Sequence, residues 1–320
     1  MKAISYSVPA NRSGTPKVQL VDLPVPQAKA GHVLVRVCYA GLNNFDQETS
    51  SGTRNRALAW ALKRHKVVSG IEMSGLAMSD GKQIKRGDRV VGYTNIFRGP
   101  FFHAEYVVVP EHKLTQIPED HSLEGAASLI GGALTSIAAI ERIADVKPDD
   151  NILITGATGS VGITAVQLAA HLGARVSGVC HSTQTEFLAQ EGATVAYAYD
   201  RNEMPRKDKQ FDLVFDTAPT LSFSACTGYL KPRGTYITTM PHLDIGGFAK
   251  SLFSKNKWGY LMEADTDTKR MARLHALMQD GAFRPVVDSI YPLEQARNAF
   301  DRQLQPGKRG KILIKFGEGS

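Results

Sequence analysis

From Lys2 to about Pro110, short runs rich in Val, Ile and Tyr alternate with Gly, Pro and Asn. Bounded by turn residues such as Lys85-Arg86-Gly87-Asp88, these runs predict strands at Ala3–Val8, Val18–Leu23, His32–Ala40, Met73–Ala77, Arg89–Tyr93 and Ala104–Val109. One stretch breaks the pattern. Thr53–Lys66 has an Ala-Leu-Ala-Trp-Ala-Leu centre that suits a helix and carries Arg54, Arg56, Lys63, Arg64 and Lys66. Beyond Pro118 the period lengthens: Glu124–Arg142 reads as a helix, Pro148-Asp149-Asp150 as a turn and Asn151–Thr155 as a buried strand. Glycines follow, then a helix whose apolar positions Val161, Ala165, Leu168, Ala169 and Leu172 form one stripe. Arg175–Val179, Val195–Tyr199, Asp212–Phe215 and Thr235–Thr239 read as strands, with a helix at Gln184–Gln190. Helices at Lys269–Gln279 and Leu293–Leu304 and a strand at Lys311–Phe316 close the chain. The first third is therefore β-rich. The alternation after it predicts βαβ units on a parallel sheet covered on both faces.

A chain of 320 residues exceeds what one core supports, since single domains peak at about 100–150 residues, so two domains are expected. Hydrophobic residues at 42% and charged residues at 22% exclude a disordered, collagen-like or coiled-coil chain. Cys38, Cys180 and Cys226 are too few and too far apart for a disulfide framework or a Cys-rich zinc cage, so a reduced, cytoplasmic protein is expected. The N-terminus reaches a proline before any apolar run builds, which argues against a signal peptide, and no stretch reads as the roughly 20 apolar residues of a membrane span. The net charge of +7 leaves nucleic acid, a nucleotide cofactor or an acidic substrate open as partners.

The segment Thr155-Gly156-Ala157-Thr158-Gly159-Ser160-Val161-Gly162 follows a predicted strand and opens a predicted helix. Small residues there let backbone approach a pyrophosphate, and the helix N-terminus offers it free N–H groups. The first glycine of the usual G-x-G-x-x-G fingerprint is replaced by Ala157. Dinucleotide binding is preferred to a purely structural turn because of the strand–helix context. An NAD-selecting carboxylate is expected about twenty residues on, where the chain reads Val179-Cys180-His181-Ser182-Thr183 and has none. Ser182 and Thr183 can donate hydrogen bonds to a 2′-phosphate, with His181 or Arg201 adding charge, so NADPH is the expected cofactor. The same two residues also suit capping of the next helix.

Several short segments, in order, resemble the medium-chain dehydrogenase/reductase superfamily, specifically its zinc-free quinone oxidoreductase branch. They are Ala40-Gly41-Leu42-Asn43-Asn44-Phe45-Asp46, Gly70-Ile71-Glu72-Met73-Ser74-Gly75, Gly87-Asp88-Arg89-Val90-Val91-Gly92, Ala104-Glu105-Tyr106-Val107-Val108-Val109-Pro110, the glycine turn and Arg309-Gly310-Lys311-Ile312-Leu313. The resemblance implies an α/β protein: a GroES-like β-rich catalytic domain at 1–120 and 266–320, and a Rossmann doubly wound parallel-sheet domain binding NADP(H) at 121–265. In zinc-dependent relatives a catalytic Cys lies in the segment matching Gly41–Asp46, and a His precedes the glutamate matching Glu72. Here Asn43 and Ile71 stand there, the four cysteines of a structural zinc site are missing, and neither His103 nor His112 has metal-ligand spacing, so no zinc is expected.

Without a Lewis acid, hydride transfer suits a conjugated acceptor, a quinone or an α,β-unsaturated carbonyl, whose incoming charge delocalises. By resemblance Asn43 lies near the nicotinamide ribose or the substrate oxygen, with a turn-stabilising role as the alternative. Thr135 matches a position near the nicotinamide and phosphates, or is a helix Thr bonded to its own backbone. Tyr199 corresponds to a tyrosine beside the 2′-phosphate, or simply ends a strand. Thr217 and Ala218 follow the strand ending at Asp216, where ligands sit in open α/β sheets, and Met240 follows the next such strand. Tyr93 is the candidate for a substrate-contacting tyrosine that the family places elsewhere. Phe97, Phe101 and Phe102 either wall the substrate slot or pack their own loop. An enoyl-thioester reductase drawing its substrate to the basic stretch 53–66 is the enzymatic alternative. A non-catalytic NADPH- or nucleic-acid-binding protein is the alternative of another class, though nucleic acid fits poorly because the basic residues are dispersed. A homodimer is expected from the resemblance.

Overall fold

The structure, a computed structural model, describes residues 1–7, 17–46, 69–94, 99–240, 243–260 and 266–317. The expected basic helix Thr53–Lys66 and Phe97 lie outside these residues. In chain order come β1 (Lys2–Ser7), β2 (Lys17–Asp22), β3 (His32–Leu42), β4 (Glu72–Ala77), β5 (Arg89–Tyr93), β6 (Tyr106–Pro110), β7 (Leu114–Gln116) and α1 (Leu123–Ile137). Then follow β8 (Asn151–Thr155), α2 (Ser160–His171), β9 (Arg175–Cys180), α3 (Thr185–Gln190), β10 (Val195–Ala198), β11 (Phe211–Asp216), α4 (Phe223–Cys226) and β12 (Leu230–Thr238). The chain closes with α5 (Ile245–Ser251), β13 (Lys257–Tyr260), α6 (Thr268–Gln279), β14 (Val287–Pro292), α7 (Ala296–Gln303) and β15 (Lys311–Lys315).

These elements form two compact units: Met1–Gly131 with Ala264–Gln279 and Pro285–Ser320, and Gly132–Glu263 with Asp280–Arg284. The first unit carries a seven-stranded sheet in the order β14-β15-β3-β4-β5-β7, with β6 also paired to β3. All its pairings are antiparallel except β14 with β15. Along β3, Val33, Val35 and Val37 point into the core in strict alternation. Cys38 then interrupts the register with β4, because Val37 faces Gly75 while Tyr39 faces Ser74. That bulge shifts the alternation, so Ala40 and Leu42 also point inward and the strand delivers its end at Asn43.

The second unit holds a six-stranded, wholly parallel sheet in the order β10-β9-β8-β11-β12-β13. Ile152, Leu153 and Ile154 of β8 are all fully buried, the continuous apolar run expected of a strand covered on both faces. From β8 the chain winds outward to β9 and β10, then resumes on the other side with β11, β12 and β13. Strand order therefore reverses between β8 and β11, and ligands in such sheets sit at the carboxyl ends beside that reversal.

One expectation needs correction. Leu123–Ile143, which is α1 prolonged by the wider helical turns of Ala138–Ile143, is long and apolar enough to cross a membrane, with a mean hydropathy of 1.5. Its window is 83% buried inside the protein, as in a core helix. The apolar residues cover the whole helix circumference because protein surrounds it.

Candidate active site

The glycine turn lies where the sheet reverses. Gly156 has φ +60, a conformation L side chains rarely adopt, and a Cβ there would lie 2.7 Å from the Ala218 Cβ. A Cβ at Gly162 would fall on the Gly156 carbonyl, so helix and turn close against each other only with glycine. Ala157, the departure from the usual fingerprint, fits because its neighbour on β9 is Gly178, where a Cβ would come within 2.9 Å of the Ala157 Cβ. Gly159 precedes α2 in extended conformation, and a Cβ there would meet only the Gly156 carbonyl, at 3.3 Å.

The turn fits a pyrophosphate. The first N–H groups of a helix have no intrahelical acceptors, and the Ser160 Oγ beside them is buried without a hydrogen-bond partner. Thr158 is committed elsewhere: its hydroxyl donates to Oε1 of buried Gln184 at 2.6 Å, so it stiffens the turn. Val161 is half-buried, and its carbonyl accepts from the hydroxyls of Ser136 at 3.3 Å and Thr164 at 3.0 Å. The Ser136 bond, with a second from Ser136 Oγ to Thr164 Oγ1 at 2.9 Å, holds the first turn of α2 to the α1 helix, on which half-buried Thr135 precedes Ser136.

Thr217 and Ala218 follow β11 against the same turn, Thr217 Oγ1 donating to the Thr155 carbonyl at 2.6 Å. Met240 follows β12, its N–H donating to Thr238 Oγ1 at 3.2 Å. Buried Asp216, which the sequence reading missed, ends β11. It accepts from Thr155 Oγ1 at 2.5 Å and from the Thr220 N–H at 3.1 Å. Burial pushes its carboxyl above the ordinary value, and these hydrogen bonds pull the other way.

At the ends of β9 and β10 the structure corrects the expectation of a carboxylate-free site. Ser182 donates its N–H to Asp200 Oδ1 and its hydroxyl to Oδ2, both at 2.7 Å. His181 Nε2 stands 3.6 Å from the same carboxylate. Thr183 turns its N–H toward His181 Nδ1 at 3.3 Å, so His181, rather than Ser182 or Thr183, caps the short helical turn that follows. Tyr199 is half-exposed with its ring edge-on to His181.

In the first unit, Asn43 follows β3. Its backbone N–H donates to Asp46 Oδ2 at 2.9 Å, and Asp46 Oδ1 accepts from Gly70 N–H at 2.8 Å. The turn is therefore held by the Asp46 side chain, which leaves the Asn43 side chain for another role. The Asn43 amide is clamped instead: Nδ2 donates to Glu72 Oε1 at 2.8 Å, while Lys311 Nζ donates to Oδ1 at 2.7 Å. Glu72 and Lys311, both buried, are themselves an ion pair. The pair fixes which end of the amide is donor. One Nδ2 hydrogen remains after the bond to Glu72, and Asn43 is only half-buried. Losing either charged partner would leave an uncompensated buried charge, a cost of about 3–5 kcal/mol. Tyr93, at the end of β5, and Phe101 are both buried. Phe101 and Phe102 both belong to the unit's hydrophobic core, as the packing alternative has it.

Two family models match the chain: the alcohol dehydrogenase GroES-like domain over residues 29–119 and the zinc-binding dehydrogenase model over 191–314. The chloroplast quinone-oxidoreductase homolog of Spinacia oleracea is 27% identical, covering 98% of each chain. The quinone oxidoreductase of Sus scrofa is 25% identical, covering 94% of each. Among solved structures, the quinone oxidoreductase from Coxiella burnetii matches with a TM-score of 0.82 at 25% identity over 99% of each chain. The chain belongs to the medium-chain dehydrogenase/reductase superfamily, in its quinone oxidoreductase branch. It is an oxidoreductase, with a GroES-like domain and a Rossmann domain. Glu72 and Lys311 were within the sequence motifs that carried the resemblance but had no role assigned. In this medium-chain oxidoreductase they hold Asn43, which lies in the segment that carries the catalytic Cys in zinc-dependent relatives.

Proposed function

We propose that the protein is a zinc-independent reductase that transfers hydride from a reduced nicotinamide dinucleotide to a quinone or an α,β-unsaturated carbonyl. The observation that carries this reading is the clamped amide of Asn43. Where zinc-dependent relatives hold a thiolate, this chain offers a neutral donor held by two buried charges. The preceding-histidine position is Ile71, which is buried and has no ligand atom. The bound dinucleotide supplies the hydride. The glycine turn and Ser160 would hold its pyrophosphate, and Thr217, Ala218 and Met240, which follow the neighbouring strands, would line it. The free Nδ2 hydrogen of Asn43 bonds to the acceptor oxygen as negative charge develops on it. A preorganised donor of this kind is worth more in the transition state than in the ground state. Glu72 and Lys311 act through Asn43 and are positioning residues.

The test is oxidation of NADPH, the donor expected from sequence, and of NADH, against a panel of 1,4-quinones, enones and enoyl thioesters. Turnover that survives a chelator is expected, with Asn43→Ala lowering kcat on the order of a hundredfold while dinucleotide affinity holds. Loss of turnover with chelator, or none with any acceptor, overturns the reading.

A further inference from the structure

The register of the second sheet brings two loops together that lie apart in sequence. Ala198 of β10 pairs with Cys180 of β9, so Tyr199-Asp200 and His181-Ser182 leave the sheet side by side. Val179 in turn pairs with Thr155 of β8, and its carbonyl accepts the Ala157 N–H at 3.1 Å. The Asp200 carboxylate therefore stands near the tip of the second βαβ strand, where an acidic side chain meets the adenosine ribose in such folds. It arrives from the neighbouring strand rather than from β9 itself.

We propose that Asp200 selects a dinucleotide with a free ribose 2′-hydroxyl, so that the cofactor is NADH rather than NADPH. This rests on the dinucleotide-binding reading of the glycine turn. The argument is one of donors and acceptors. A 2′-phosphate carries only acceptors and nearly two negative charges, so it needs donors. The two Ser182 offers, its N–H and its hydroxyl, both point at Asp200. A 2′-phosphate would have to displace that carboxylate and then remain beside it. A ribose hydroxyl brings a proton, and a carboxylate has about four lone-pair positions, of which Ser182 takes two. The His181 ring, whose Nε2 could serve a phosphate as a donor, stands 3.6 Å from the Asp200 carboxylate and faces that negative group instead. Glu203 adds negative charge at the end of β10, where its carboxylate accepts the Ala198 N–H at 3.0 Å. Arg201, the cation that follows Asp200, is exposed. The Ser182 hydrogen bonds also hold the Asp200 carboxyl below its ordinary value, so it is charged throughout the neutral range.

The experiment is calorimetric titration of the full chain with NADH and with NADPH, and with 5′-AMP and 2′,5′-ADP for the adenosine half alone, repeated for Asp200→Asn. The unaltered chain is expected to bind NADH and 5′-AMP at least about tenfold more tightly than their 2′-phosphorylated counterparts. Asp200→Asn keeps the shape and removes the charge, and should shrink that ratio about tenfold, with an unchanged circular dichroism spectrum showing that the fold is kept. NADPH binding as tightly as NADH, or a ratio unmoved by Asp200→Asn, overturns the proposal. If neither dinucleotide binds, the dinucleotide-site reading itself fails and takes the proposal with it.

Discussion

His103 has both ring nitrogens engaged. Nε2 lies 3.1 Å from the Gly41 carbonyl, which can only accept, so Nε2 carries the proton and Nδ1 accepts from the Ser69 hydroxyl. The ring is wholly buried, stacked on Phe316 and edge-on to Phe300. Burial pushes its pKa down; Asp46 and Glu72, and the bond to Gly41, pull it up, and Lys311 pushes it further down. A histidine with a depressed folded pKa binds protons more readily when unfolded. Its contribution is complete above the unfolded value near 6.5 and is lost as pH falls from there toward the folded value. Stability should therefore drop by up to about 1.4 kcal/mol per pH unit across that window. Thermal melts between pH 7.5 and 5 check this: His103→Gln should melt lower at pH 7.5 but show a shallower fall with acid, and an equal slope in both proteins would refute the assignment.

Asn43 was visible because its motif is contiguous. Its partner Lys311 is 268 positions away, joined to it only because β15 pairs with β3. Asp200 is the opposite case. Its strand tip, Val179–Thr183, carries no acid of its own, and the acid comes from the next parallel strand, a register that composition and spacing do not specify.

Elements were legible where periodicity was strong. β3, β5, β8 and α6 lie close to their predicted spans. β13 and β14 were missed. Lys257–Tyr260 is four residues long, and Val287–Pro292 is half-exposed and ends in proline, so neither shows alternation or a long apolar run. Helix α1 adds a case in which propensity and packing oppose. Replacing glycine by alanine inside a helix normally gains up to about 1 kcal/mol. At Gly131, however, the new Cβ would fall on Oε2 of buried Glu72, whose other oxygen is held by Asn43. Overpacking costs about 1–3 kcal/mol, so packing wins and Gly131→Ala should lower the melting temperature. Gly246 in α5 is the control, because a Cβ there meets nothing within 4 Å. Gly246→Ala should raise it. Chemical denaturation of both variants checks the signs, and a stabilised Gly131→Ala would mean that Glu72 is free to move aside.

For the whole molecule, the two-part division was expected from length and from the change in pattern, but the assembly state was expected only from resemblance. The second unit gives that expectation a location. β13 is an edge of the parallel sheet among the described residues, and an edge strand is where a second chain can add to a sheet. Beside it, α5 and the residues after it expose Ile245, Phe248, Leu252 and Phe253, the last at 93%. Phe248 is tied to β13 by a ring contact with Trp258 at 5.1 Å, so edge and apolar face form one surface. Monomers seldom leave such a patch uncovered. A second copy would cover both features at once, since a two-fold axis beside β13 would pair the strand with itself in antiparallel register and appose the two apolar faces. The unaltered chain should therefore run as a dimer in light scattering coupled to size exclusion. Leu252→Glu with Phe253→Glu should convert it to a monomer that keeps its circular dichroism spectrum, since neither side chain is part of a buried core. A monomeric unaltered chain, or a dimer that survives both charges, would place the contact elsewhere.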